Sequence, residues 1–127
     1  VGSEMCIRDS LEAMPNVLAW LKHGAAARQV VDNSYPEMDE VARVRALSLE
    51  NVVAQLGNLR THPSVAAGIA RGEISLHGWF VDIHEGVILG LDGATGRFVP
   101  IREDKPMPVA LRAEQRLAAD FLLEAAE

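Results

Sequence analysis

Residues 50–92, ENVVAQLGNLRTHPSVAAGIARGEISLHGWFVDIHEGVILGLD, decide the fold. They divide into a long helix, a cap, a short helix and a β-hairpin, with no spare residues between them. Val41, Val44, Leu47, Val52, Leu56 and Leu59 mark an apolar helical stripe that runs to about Arg60. Asn51, Gln55 and Asn58 form a polar stripe beside it, at i, i+4 and i+7. Thr61-His62-Pro63 stops one helix and starts the next, because proline suits a first helical position and Thr61 or His62 can cap it. Val65, Ile69 and the alanines extend a short helix that Gly72 ends as a C′ residue. From Ile74 the period becomes two. Ile74, Leu76, Gly78 and Phe80 point one way and His77, Trp79, Val81 and Ile83 the other. Both sets are largely apolar, which predicts a strand covered on both faces. His84-Glu85-Gly86 then turns the chain into Val87–Leu91.

Working outward, Pro15 suits the first turn of an upstream helix, and Val17, Leu18, Trp20, Leu21, Val30 and Val31 keep helical spacing across a weak point at Gly24. Asn33-Ser34-Tyr35-Pro36 breaks it, since Pro36 pushes Tyr35 out of helix. The long helix is expected to begin near Pro36 or Glu37, with Glu37, Asp39 and Glu40 in the first turn, where the macrodipole favours acids. Downstream, Asp92-Gly93-Ala94-Thr95-Gly96 is a second turn. Arg97–Ile101 adds a short edge strand that Pro100 ends. Residues 102–108 read as a polar linker. Val109–Ala126 reads as an amphipathic helix, with Leu117, Ala118, Phe121, Leu122 and Ala125 on one face.

The whole chain sets outer limits. Its 127 residues suit one domain or part of one, and a 49% hydrophobic share excludes a disordered chain. A formal charge of −6 with interspersed signs, and no basic stripe, argues against nucleic acid as a partner. No apolar run approaches transmembrane length, so no membrane partner is expected. The single cysteine, Cys6, excludes an internal disulfide or a Cys-pair zinc site within this chain. Val1–Ser10, VGSEMCIRDS, resembles the translation of a transposon-type sequencing adapter. On that reading residues 1–10 are not biological sequence, Cys6 carries no meaning, and the chain is a fragment of a longer frame.

Taken residue by residue, no catalytic constellation emerges. His23, His62, His77 and His84 form no H-x-x-x-H or H-E-x-x-H pair. Asp82, His84 and Glu85 read as a solvated hairpin tip, with a metal or general-base site as the alternative. His77 reads as a packed, hydrogen-bonded histidine, with a catalytic role as the alternative, and Trp20 and Trp79 as core or interface anchors. The amides of Asn51, Gln55 and Asn58 are expected to bond the backbone of a neighbouring loop and fix how the helix docks, with ligand binding as the alternative. Ser64 lacks a nucleophile-elbow setting. Gly90, Gly93 and Gly96 lie in a hairpin region and form no phosphate loop.

A resemblance supplies what the chemistry does not. Asn51, Val52, Gln55, Asn58, Leu59, Pro63 and Val65, followed by Leu76, His77, Gly78, Trp79, Asp82, Ile83 and Gly86, match the order and spacing of the C-terminal half of a β-class carbonic anhydrase. The likeness covers about Leu11 to Ile101. It implies an α/β fold whose terminal hairpin completes a mostly parallel sheet, with residues 11–101 as a partial domain and 102–127 as linker and tail helix. It further implies a cytoplasmic zinc lyase that hydrates carbon dioxide to bicarbonate and a proton, assembled as a dimer or higher homo-oligomer. In that family two cysteines and a histidine hold zinc, from C-x-D-x-R and H-x-x-C motifs. This sequence has neither, so no metal or catalytic residue carries over, and the fragment is expected to bind no zinc and to be inactive alone. Val81 stands where bicarbonate-gated members carry tyrosine, which argues for the ungated group. The competing expectation is a small metal-free helix and hairpin module for interaction or regulation.

Overall fold

The computed structural model describes residues 13–111. The expected adapter-like start and the tail helix beyond Leu111 lie outside that range. Helix α1 (Pro15–Leu21) starts on its proline and buries no side chain. A 3-10 turn at Lys22–Gly24 leads into α2 (Ala25–Ser34), which buries Ala27 and Val31. The weak point at Gly24 is therefore real, and the break falls after Ser34 as the proline predicts.

Helix α3 (Glu40–Thr61) starts later than the sequence suggests. Asp39 stands outside as its N-cap, its carboxylate accepting from the Ala42 N–H at 3.0 Å. The cap, more specific than an acidic first turn, sets the boundary. The buried face also differs in phase from the expected stripe. It comprises Ala46, Leu49, Glu50, Val53 and Leu56, while Val41 and Val44 are 81% and 59% exposed. Periodicity registers large apolar side chains and passes over a small one such as Ala46. Of the expected stripe, Leu56 alone lies on the fully buried face, with Leu47 and Val52 packed against the core from its margin.

Helix α2 packs antiparallel along α3. At one end the Gln55 amide donates to the His23 carbonyl at 3.3 Å, and at the other Arg43 pairs with Asp32. The expectation for the amide stripe is met at Gln55 alone, which docks the turn between α1 and α2, while Asn51 and Asn58 bond its side chain and not a loop backbone. His62 ends α3 and caps α4 (Pro63–Ala70) through its backbone, without a side-chain cap bond. At the other end of α4, Gly72 has φ +72°, and the N–H groups of Gly72 and Glu73 return to the carbonyls of Ile69 and Gly68. That pairing of orphan carbonyls is a Schellman ending.

The strands β1 (Trp79–Asp82), β2 (Val87–Leu91) and β3 (Phe98–Pro100) form an antiparallel sheet in that order. The register sets Phe80 opposite Leu89, and Leu91 opposite Phe98. These four side chains join Val31, Ala46, Leu49, Val53, Leu56 and Leu111 in one core. Gly78 lies under α3, where a Cβ would come within 2.7 Å of Leu56 and Val52. The opposite face is only partly covered. Ile101 and Pro108 cross it at Gly90, and Trp79, Val81, Ile88 and Val99 remain exposed. The expectation of cover on both faces fails here for Trp79 and Val81, because no described element packs over them.

The segment from Val109 to Leu111 corrects a second expectation. It is extended, not the start of a helix. Gly93 donates to the Val109 carbonyl at 2.7 Å, Val109 donates to the Asp92 carboxylate, and Leu111 donates to the Leu76 carbonyl at 3.1 Å. These bonds wedge the returning chain into the open end of the hairpin and bury Leu111.

Candidate functional site

The hairpin was the one place where the sequence offered a metal or general-base arrangement, and its geometry argues for another role. Asp82 ends β1 and is 8% exposed, so it is no solvated tip residue. Its carboxylate pairs with Arg45 of α3 and accepts the backbone N–H groups of His84 and Glu85, each at 3.1 Å. The side chains of His84 and Glu85 stay exposed. Gly86, with φ +64°, lets the loop close onto Val87. The Arg45 guanidinium also lies over the Phe80 ring, 5.7 Å from its centroid. Asp82 therefore clamps the hairpin turn to the long helix. Only the turn half of that role was readable locally, since an aspartate two residues before a turn commonly bonds its backbone.

The remaining candidates separate. His77 and Ser64 are exposed, which overturns the packed histidine. Trp20 and Trp79 are 71% and 54% exposed, so neither anchors the core of this chain. Among the described residues no three His, Cys, Asp or Glu side chains come together as a metal-binding group. No described helix is long and apolar enough to cross a membrane.

Two carboxyl groups carry opposite electrostatic signatures. Glu50, on the buried face of α3, is pushed above the ordinary carboxylate range by burial, and its Oε2 has no hydrogen-bond partner among the described residues. Asp82 is held below that range by the Glu85 N–H, against the opposing effect of burial, with help from Arg45 and the His84 N–H. The consequences for stability differ in sign. Glu50 favours folding only while protonated, so that contribution is lost as pH rises through its raised folded value. Asp82 favours folding once ionised, and its contribution is lost as pH falls through its lowered one. Glu50→Gln is therefore expected to raise Tm at pH 7, with the gain vanishing below about pH 4, where both states protonate the glutamate. Asp82→Asn is expected to lower Tm by several degrees at pH 7 and to flatten the loss of stability in acid. Thermal melts at the two pH values check both signs, and a lower Tm for Glu50→Gln at pH 7 would contradict the first.

Comparisons with known proteins agree with one another. The family model described as Carbonic anhydrase matches residues 2–88. A carbonic anhydrase of Pseudomonas aeruginosa is 47% identical over 93 residues, covering 73% of this chain and 42% of that protein. Carbonic anhydrase 1 of Escherichia coli O157:H7 is 43% identical over 109 residues, covering 86% of this chain and 49% of the relative. The solved structure of the beta-carbonic anhydrase CcaA superposes with a TM-score of 0.68 at 35% identity, over 76% of this chain and 44% of that one. The chain thus spans about half the length of the curated relatives it matches.

Proposed function

Because the chain belongs to the carbonic anhydrase family, in its β class, we propose that it is part of a zinc-dependent enzyme interconverting carbon dioxide and bicarbonate. In this reading its own residues provide packing and leave the metal chemistry to the remainder of the protein. One observation carries the division of labour. The segment similar to its relatives covers less than half of each, and the donor set within the described residues does not fit zinc. The four histidines are scattered and the sole cysteine, Cys6, lies outside the described part. The same proposal assigns the apolar outer face of Trp79 and Val81, and the edge of β1 that no described strand pairs with, to the rest of a larger sheet. An uncovered apolar strand edge is otherwise an aggregation liability. A cytoplasmic homo-oligomer completes the reading.

The test compares two proteins. The 127-residue chain is expected to hold zinc well below one equivalent after dialysis, and to leave carbon dioxide hydration at the buffer rate in a stopped-flow indicator assay. The same chain joined to an upstream reading frame carrying C-x-D-x-R and H-x-x-C is expected to bind one zinc per chain and to accelerate hydration. Stoichiometric zinc and chelator-sensitive hydration by the short chain would overturn the division of labour. An upstream frame without those motifs would favour the metal-free interaction module.

A further inference from the structure

We propose that Asp92-Gly93 is a site of covalent isomerisation that the returning segment Val109–Leu111 holds shut, and that the modification, once made, releases the segment for good. Asp92-Gly93 is the one Asp-Gly pair in the sequence, which has no Asn-Gly pair. A glycine after an aspartate carries no Cβ to shield its amide nitrogen, so that nitrogen can attack the aspartate side chain. The fold itself demands glycine here, because a Cβ at Gly93 would come within 2.8 Å of the Val109 carbonyl oxygen. The close approach that covers the pair thus also keeps it reactive.

In the reaction the Gly93 nitrogen bonds to Cγ of the protonated Asp92 carboxyl. The amide proton and the carboxyl hydroxyl leave as water, and a five-membered succinimide ring forms. Water then adds at the main-chain carbonyl carbon of Asp92. The bond from that carbon to the Gly93 nitrogen breaks, and the nitrogen regains a proton. The product has the mass of the starting chain, but its backbone runs through Cγ and is one methylene longer.

Each reacting group is held in the folded chain. Attack requires the Asp92–Gly93 peptide plane to turn as a unit. Both of its ends are tied, since the Asp92 carbonyl accepts the Gly96 N–H and the Gly93 N–H donates to the Val109 carbonyl, each at 2.7 Å. Carboxylate Oδ1 accepts the N–H groups of Val109 at 3.0 Å and Ala94 at 3.4 Å. Oδ2 accepts the Thr95 hydroxyl at 2.8 Å and the Thr95 N–H at 3.2 Å. Burial opposes ionisation of Asp92, but these donors hold the carboxyl below its ordinary range, and an ionised carboxylate resists the attack. Two of the bonds come from Val109, so local opening of the returning segment frees the nitrogen and the carboxylate together. The extra methylene then shifts both away from Val109, and Leu111 loses its seat in the core beside Leu76.

Peptide mapping with electron-transfer fragmentation, which separates the two isomers, tests this on the full chain held at pH 7 and 37 °C. The chain is expected to isomerise at Asp92 about tenfold or more slowly than a free peptide of residues 88–97, ILGLDGATGR. Leu111→Ser, which removes the anchor of the segment, is expected to bring the rate to within about threefold of the peptide while the Leu49 amide stays protected from hydrogen exchange. The isomerised wild-type chain, once separated, is expected to lose protection at the Leu111 amide and to keep it at Leu49. That measurement decides alone where Leu111→Ser also exposes Leu49. A folded chain isomerising at the peptide rate would overturn the proposal. So would a Leu111→Ser chain with a freely exchanging Leu111 region and an unchanged rate, or an isomerised chain whose Leu111 amide remains protected.

Discussion

Leu49→Ala is expected to cost the chain about 3 kcal/mol, while Val41→Ala on the same helix is expected to cost under about 0.5 kcal/mol. The contrast follows from geometry. Leu49 is 1% exposed at the centre of a core shared by α2, α3, the sheet and the returning segment at Leu111, whereas Val41 is 81% exposed. Truncating Leu49 removes its transfer free energy and opens a cavity walled by three kinds of element, which cannot all collapse into it. A loss of this size is a large share of the stability of a domain of this length. It corresponds to a Tm fall of about 10 °C. Urea titration checks it through the midpoint, with an unchanged slope showing that the unfolded reference is the same. Equal losses for the two variants would restore the helix phase that periodicity alone suggests, and would place the core on the wrong face of α3.

That contrast also shows what the sequence could and could not convey. Boundaries set by backbone chemistry were legible: Pro15, the Tyr35-Pro36 break, Pro63, Gly72 and the hairpin glycines act through φ, a missing N–H or a local bond, and need no distant partner. The docking role of Gln55 was legible because an amide stripe on a helix has few ways to be satisfied. The phase of α3 was not. A helix with valines and leucines on more than one side buries whichever face its neighbours contact, and the burial of Ala46 and Glu50 depends on α2 and the sheet. Nor was Arg45 legible as the partner of Asp82, since 37 residues separate them and no local pattern links an arginine on a helix to a hairpin turn. The extended course of Val109–Leu111 is the same kind of case. Its local composition allows a helix, but the Gly93 N–H, the Asp92 carboxylate and the Leu76 carbonyl claim its hydrogen bonds first.

Gly93→Ala is expected to lower stability by about 3 kcal/mol and to release the returning segment, an effect far larger than one added methyl suggests. The space beside Gly93 is filled by main chain. A Cβ there would come within 2.7 Å of the Ala110 carbonyl carbon and 2.8 Å of the Val109 carbonyl oxygen. Side chains can rotate away from such a contact, as Leu56 and Val52 could at Gly78, but a backbone held at both ends can only move off. The Gly93 to Val109 hydrogen bond, 2.7 Å long, would be lost with it, and so would the Val109 bond to Asp92. The Asp92 carboxylate, part-buried but held below the ordinary range by the Thr95 hydroxyl and the Val109, Ala94 and Thr95 amides, would lose one of its donors. Leu111 would then leave the core, because its bridge to Leu76 lies two residues along the same segment. The expected signature is specific. Exchange at the Val109 and Leu111 amides would rise by orders of magnitude while α2 and α3 stay protected, and the urea midpoint would fall by a similar amount to that of Leu49→Ala. Unchanged exchange at Leu111 in a folded Gly93→Ala protein would mean that the return segment is held by its side chains alone, and the wedge at the open end of the hairpin would have to be abandoned.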